Sequence, residues 1–254
     1  MSNKRPVNIL LTCEHASCNI DEKYKDLNIP EKVLFSHQGY DIGARELCEK
    51  TFQKINAKER PVSSFYGNQS RLLVDLNRSL HHRALFSQYS RNLPAHIRKM
   101  ILEKEYRPWR ENVLRFVREK NRQGIFIIHF SIHSFTPELD GKIRNASLGI
   151  LYDPSRRREK EIARALKQEI LFEARTHAPS LPGVLLKELL TLPVRMNYPY
   201  RGTADGHTPA LRKEIKNELY AGLEIEVNQK YLGENSEIFI ERLSTALASF
   251  LGGA

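Results

Sequence analysis

Cysteine is scarce in this chain: Cys13, Cys18 and Cys48 are three in 254 residues. An odd number in so long a sequence argues against a disulfide framework. Long apolar runs are missing too, and nothing approaches the ~20 residues that a bilayer-spanning helix needs. The N-terminus, MSNKRPVNILLTCEH, starts basic, but its apolar stretch is only Val7 to Leu11 and no small-residue cleavage site follows a longer one. It reads as a first strand and not as a secretory signal. These absences lead to the expectation of a cytoplasmic protein without membrane contact. Repeats, low-complexity tracts and obvious linkers are also lacking, so a single domain over residues 1–254 is expected.

What is present is an ordinary globular composition, 41% hydrophobic and 28% charged, with a formal charge of +10. A basic face could bind nucleic acid. Alternatively, arginines could draw in a small anionic substrate. The densest run, Arg156-Arg157-Arg158 with Lys160, falls where a helix starts and reads as a solvated face. No aromatic interleaving or nucleic-acid motif accompanies it, so nucleic acid is the disfavoured partner.

Periodicity organises the chain into alternating strands and helices. Strands are expected at Val7–Thr12, Arg71–Leu76, Ile125–Ile132, Leu148–Tyr152, Pro193–Asn197 and Leu223–Val227. Helices are expected at Asp41–Ala57, with Asp41 a plausible N-cap, and at Ala95–Gln123, broken near Pro108. Others follow at Ser155–Arg175, from Thr208 with Pro209 at its first position to Tyr220, and at Ser236–Leu251. Phe65–Leu93 is the least regular stretch. The alternation predicts an α/β fold whose central sheet is largely parallel or mixed and covered by helices on both faces.

The segment IIHFSIHSF, 127–135, carries two histidines in an apolar run. His129 and His133 share a strand face about 13 Å apart, too far to hold one ion together. Both could be hydrogen-bonded core histidines. Only His133 stands at the strand's exit, where loops carry chemistry. Other polar residues follow strands in the same way: Glu14 and His15, Asn77 and Arg78, His133 and Ser134, Asn197, and Glu226 late in its strand. In an open α/β sheet, ligands bind outside the carboxyl ends of the strands. Two histidines with a carboxylate are the usual ingredients of catalytic zinc, and a separate carboxylate can deprotonate the bound water. Glu224 lies two residues before Glu226 on the same face, so spacing alone does not separate them.

TCEHASCNI (12–20), HQGYDIGARELCEK (37–50), SRLLVDLNRS (70–79), SIHSF (131–135) with GKIRNASLGILYD (141–153), MNYPYRG (196–202) and GLEIEVNQKYL (222–232) occur in one order across the chain. That ordered set resembles the N-formylglutamate amidohydrolase family, part of the zinc-carboxypeptidase-like group. The resemblance implies a zinc/carboxypeptidase-like, phosphorylase/hydrolase-like fold and a zinc-dependent hydrolase acting on a linear amide. N-formylglutamate, giving glutamate and formate, is the first candidate substrate. It implies His15 and His133 as zinc ligands. The carboxypeptidase pattern places a glutamate three residues after the first histidine, where this chain has Cys18. Asp41 is then the preferred third ligand, with Glu14 in reserve; an N-cap role for Asp41 stays open. The resemblance favours Glu226 as the catalytic base. Asn77 and Arg78 match a pair that grips a substrate carboxylate, and Arg71 would polarise the scissile carbonyl. Arg144 would add positive charge, and Tyr198 and Tyr200 would line the pocket. The alternatives are a related metallo-carboxypeptidase or deacylase with another substrate and, less favoured, a non-enzymatic nucleic-acid binder.

Overall fold

The computed structural model describes residues 5–176, 193–232 and 236–250. Its centre is a six-stranded sheet built from β1 (Val7–Cys13), β2 (Val62–Tyr66), β3 (Phe126–Phe135), β6 (Leu148–Leu151), β7 (Val194–Met196) and β8 (Tyr220–Asn228), in the order β2-β1-β3-β8-β6-β7. A two-stranded hairpin, β4 (Glu138–Leu139) and β5 (Lys142–Ile143), stands apart from it. β2, β1, β3 and β8 are mutually parallel. β6 runs antiparallel to β8, and β7 follows β6. The sheet is therefore mixed, within the expected α/β class.

Side-chain alternation assigns the two faces. Ile9, Leu11, Ile128, Phe130, Ile132, Leu223 and Ile225 point to one side. There they pack against helices α2 (Ala44–Asn56), α5 (Arg157–Thr176) and α7 (Ser236–Phe250), which follow α1, a single turn at Glu31–Leu34, in the chain. Leu10, Ile127 and Tyr220 point to the other side. They pack under Val113 and Val117 of α4 (Arg107–Arg122) and Leu211 of α6 (His207–Glu214). Farther along this second face the strands turn polar: Thr12, His129, Ser131, His133, Glu224 and Glu226 are all buried. A sheet face that changes from apolar to polar along its strands places the chemistry at the carboxyl edge. Among the described residues no helix is long and apolar enough to cross a membrane.

Several expectations need correction. Arg71–Leu76 is not a strand but a run of turns. Its Leu72, Leu73, Val74 and Leu76 are buried, most of them in a satellite cluster with Tyr24, Leu85, Ile101 and Tyr106, so burial produced the strand-like pattern without sheet pairing. The edge strand β2 was not expected. All five of its residues are half-buried, so VSSFY lacks the contrast that marks a strand. The long helix breaks before Pro108: α3 (Ala95–Ile101) passes through a π turn, Leu102–Tyr106, where the Arg107 N–H bonds back to the Leu102 carbonyl. Proline lacks an N–H and crowds the carbonyl four residues earlier, and the widened turn accommodates both. α6 ends at Glu214 and not at Tyr220, which already begins β8; Gly206 and not Thr208 is its N-cap. The expected end of the last helix, Leu251, and the basic start, Met1–Lys4, lie outside the described residues.

One buried ion pair ties the site's surroundings to the core. Glu159 of α5 and Arg212 of α6 are both buried, with Arg212 Nε 2.9 Å from Glu159 Oε1. Arg212 also donates to the carbonyls of Gly202 and Gly222. Glu159 accepts from the Asp153 and Gly222 amides and from Arg156. The pair thus joins two helices, a central strand and the 197–206 loop. Arg212→Ala would leave a buried carboxylate without its main counter-charge, so a loss of about 3–5 kcal/mol is expected in urea unfolding. Arg212→Met combined with Glu159→Gln should recover most of it. A double variant as unstable as the single one would show that the ion pair is not the source.

Candidate active site

Three loops converge at the carboxyl edge. β1 ends at Cys13 and delivers Glu14 and His15. The segment before α2 delivers Asp41, whose N–H donates to the His15 carbonyl at 3.0 Å. β3 delivers His133, two residues before its end. The Asp41 carboxylate lies between the imidazoles: Oδ2 is 2.8 Å from His133 Nδ1 and 3.3 Å from His15 Nδ1, and it also accepts from the Ser134 amide at 3.3 Å. These three side chains can offer donor atoms within 4.8 Å of one another, all buried. Asp41 makes no side-chain cap; α2 starts at Ala44 behind Gly43, so the N-cap role is set aside.

The far side of each imidazole is held as well. His15 Nε2 is 2.7 Å from Asp75 Oδ1, and His133 Nε2 is 2.9 Å from Ser131 Oγ and 3.4 Å from Glu14 Oε2. Nδ1 atoms pointing inward with Nε2 atoms backed by carboxylates or a hydroxyl form the arrangement that orients metal-bound histidine. Two imidazoles and one carboxylate also suit a divalent ion about 2.0–2.2 Å from each donor. The donor set and its support therefore fit the metal expected from the sequence. Glu14 is a supporting residue here, not part of the cluster. It accepts from Thr12 and Ser131 and meets His207 Nδ1 at 2.9 Å. Cys18 is a free thiol outside the cluster.

The cavity beside the cluster has a volume of about 110 Å³ and is lined by Arg71, Arg78, Tyr200, Arg201, Glu224 and Glu226 among others. The β3–β8 register sets His133 opposite Glu226 and Ser131 opposite Glu224, so Glu226 lies level with the cluster. Gly149 pairs with Glu226 from the other side; a Cβ there would fall 1.6 Å from the Tyr198 carbonyl oxygen, so only glycine lets that loop cross. Arg71 donates to Asp75 Oδ2 at 2.8 Å and to Asp41 Oδ1 at 3.4 Å. Arg78 donates to the Asp205 carbonyl at 3.2 Å.

The model of the N-formylglutamate amidohydrolase family matches residues 7–233. The chain belongs to that family. In overall structure it is similar to a gene product of Agrobacterium tumefaciens, at 25% identity and a TM-score of 0.70 over 97% of this chain and 93% of that one. It is also similar to the N-formylglutamate amidohydrolase of Ralstonia eutropha, at 14% identity and a TM-score of 0.68 over 98% and 92% of the two chains. No curated protein sequence matches it.

Within this family member, several residues expected at the pocket stand elsewhere. Tyr198 does not line the cavity; its ring packs edge-on against Phe135 and under Arg195. Arg144 does not line it either. It stacks on Phe135 and Tyr200 and donates to the hydroxyl of Tyr200, which lines the cavity, at 3.3 Å. Asn77 lines the cavity, yet both ends of its amide face the protein: Oδ1 accepts from the His207 amide at 2.6 Å and Nδ2 lies 3.4 Å from His133 Nε2. Asn197 was expected at the same edge, but β7 runs against β8. Asn197 instead turns the chain at φ 50° and accepts from the Tyr152 and Gly202 amides, which returns the loop to the site. Asp75, Ser131, Arg201 and His207 were not singled out from the sequence. SIHSF held a clue to Ser131, which shares His133's face; Asp75 and His207 depend on partners too distant in sequence to anticipate. His129 is core: its ring nitrogens meet Thr12 Oγ1 and the Tyr220 hydroxyl, and burial lowers its pKa to about 3.

Electrostatics separates the carboxylates into two groups. Burial alone raises each of them. Asp41, Glu14 and Asp75 nevertheless end well below the ordinary range, because imidazoles, and Arg71 beside Asp75, stabilise the charged forms. Glu224 and Glu226 stay raised to about 7, with burial the main cause and His133 only partly opposing it. Glu226 Oε2 is buried without a hydrogen-bond partner among the described residues. A carboxyl raised from 4.5 to about 7 destabilises the fold as pH rises through that window, with the full cost above pH 7. In chelator-treated protein, Glu226→Gln should remove that cost, on the order of 3 kcal/mol at pH 8. Its melting temperature should then exceed the wild type's at pH 8 and match it near pH 4.5. Equal melting temperatures at pH 8 would show that the buried charge is tolerated by other means.

Proposed function

We propose that the protein hydrolyses the amide bond of an N-acylated acidic amino acid, N-formylglutamate to glutamate and formate, with a zinc ion held by His15, Asp41 and His133. The observation that carries this reading is the convergence of those three donors, backed by Asp75 and Glu14, beside the Glu226 carboxylate in an arginine-lined cavity. Family membership supports the amidohydrolase chemistry. When bound, the ion supplies Lewis acidity, which makes water nucleophilic near neutral pH and polarises the amide carbonyl.

The protein's own groups do the rest. Glu226, with its pKa raised to about 7, takes a proton from the attacking water and returns it to the amine nitrogen as the C–N bond breaks. A carboxyl near neutrality suits both transfers, since it can be charged for the first and neutral for the second. Arg71 faces the cavity while Asp75 and Asp41 hold its guanidinium in place, a pre-set positive charge for the developing oxyanion. Arg78, joined by Arg201, holds the substrate's α-carboxylate, and Tyr200 closes the side wall. Asn77 contributes indirectly, by placing His133 and the start of α6. Holding the carboxylate positions the scissile carbonyl, which is where substrate binding energy serves the rate.

The test combines elemental analysis with turnover. Purified protein should contain about one zinc per chain and lose activity with the metal on chelation. His133→Ala should lose both together. Glu226→Gln should keep the zinc and lose turnover by ~10²–10⁴-fold, while Glu224→Gln changes the rate far less. Full zinc occupancy in His133→Ala would remove the metal site as drawn. A fully active Glu226→Gln would remove the base.

A further inference from the structure

Beyond Arg71 and Arg78 the crevice does not end. The same two arginines, with Asp75, also line a second, open groove of about 510 Å³. Arg83, Arg91, Gln38 and Gln88 line it as well. Its volume is several times the 110 Å³ of the cavity at the metal cluster, far more than the side chain of one glutamate requires.

The charge in this groove is not cancelled. Among the described residues Asp75 is the one acid that lines it, and Arg71 and His15 already engage it. Arg78 approaches it only to 4.0 Å. The side chains of Arg83, Arg91, Gln38 and Gln88 have no hydrogen bond or ion pair among the described residues. Exposed arginines elsewhere commonly do, as Arg45 does with Glu49, Arg118 with Glu214 and Arg157 with Glu161. Unpaired arginines along a concave wall focus a positive potential and are matched to carboxylates. The two glutamines add donors and acceptors of the kind that bind an amide group.

We propose that this groove is a second anionic subsite, and that the substrate is an N-acylated glutamate extended from its side-chain carboxyl by a further amide-linked acidic residue. The inference rests on the hydrolase reading above. The point of extension follows from the anchor. Arg78 and Arg201 hold a free α-carboxylate, so a chain joined through that carboxyl would lose the anchor. One joined through the side-chain carboxyl keeps it and passes between Arg71 and Arg78 into the groove. Its amide faces Gln38 and Gln88, and its distal carboxylates face Arg83 and Arg91. The reaction is unchanged: the acyl C–N bond breaks, the hydroxyl of water ends on the acyl carbon, and a proton ends on the released amine.

Zinc-loaded enzyme should be assayed with N-formylglutamate and with N-formyl-glutamyl-glutamate linked through the γ- or the α-carboxyl. Binding of the products glutamate, γ-Glu-Glu and α-Glu-Glu should be measured by calorimetry. The γ-linked substrate should exceed N-formylglutamate in kcat/KM by about tenfold or more, and γ-Glu-Glu should bind correspondingly tighter than glutamate. Arg83→Ala with Arg91→Ala should bring both ratios close to one. Arg157→Ala with Arg164→Ala, which removes the same charge elsewhere on the surface, should leave them unchanged. If N-formylglutamate is the better substrate and glutamate the better ligand, the subsite is overturned and the hydrolase reading stands. If no substrate is turned over but γ-Glu-Glu binds tighter in an Arg83/Arg91-dependent way, the subsite stands and the hydrolysis falls. Preference for the α-linked form, or equal loss in both double variants, overturns the proposal.

Discussion

Everything at the carboxyl edge depends on the Asp41 carboxylate. One of its oxygens meets His133, His15 and the Ser134 amide, and the other meets Arg71. Taking a carboxylate out of water is costly, and here imidazole and guanidinium partners compensate for that cost. The partners come from β1, β3 and the turns after residue 70, so their convergence requires the β1–β3 register and the placement of α2 behind Gly43. The site is therefore a property of the whole sheet, and not of any one motif.

That dependence explains which parts were legible in the sequence. β1, β3, β6 and β8 showed themselves through apolar or alternating runs because their residues are buried, whereas β7 left only the short stretch around buried Val194. β2 did not, because half-buried edge residues carry little contrast. The 71–76 segment misled for the converse reason: burial in a satellite cluster leaves the same apolar signature as burial in a sheet. At the site, His15, His133 and Glu226 stood out at strand ends, but their roles, and Asp41 altogether, were named through the family resemblance; the structure places the four side by side. Periodicity did not separate Glu226 from Glu224 and the resemblance favoured Glu226; the β3–β8 register sets Glu226 opposite His133 and Glu224 opposite Ser131. Asp75 and His207 were out of reach, since each matters through a contact with a residue 60 or more positions away. Asn197 was misplaced because reading strands as parallel ignores the reversal at β6.

Charge is distributed differently inside the site and around it. Inside the site, acids and bases are closely matched: Asp41, Asp75 and Glu14 face His15, His133, His207 and Arg71. Around it, Arg71, Arg78, Arg83 and Arg91 line an open groove in which Asp75 is the one acid among the described residues. Neutrality within and positive charge at the rim serve different ends. The first keeps a dense polar cluster compatible with a folded core. The second raises the local concentration of anions before any contact forms, an effect that salt weakens.

The order in which the pieces occur along the chain has a consequence for the protein as it is made. Asp41 and His15 lie near the beginning, His133 near the middle, and Glu226 on β8, the last strand among the described residues and a central one in the sheet. Synthesis delivers the N-terminal parts first. The donors that would hold an ion are complete before the carboxylate that would use it has left the ribosome. β3 meanwhile has an open edge where β8 will insert, and β6 and β7 have no route into the sheet until β8 arrives. A nascent or truncated chain without β8 thus exposes an unpaired strand edge of the kind that chaperones and proteases act upon.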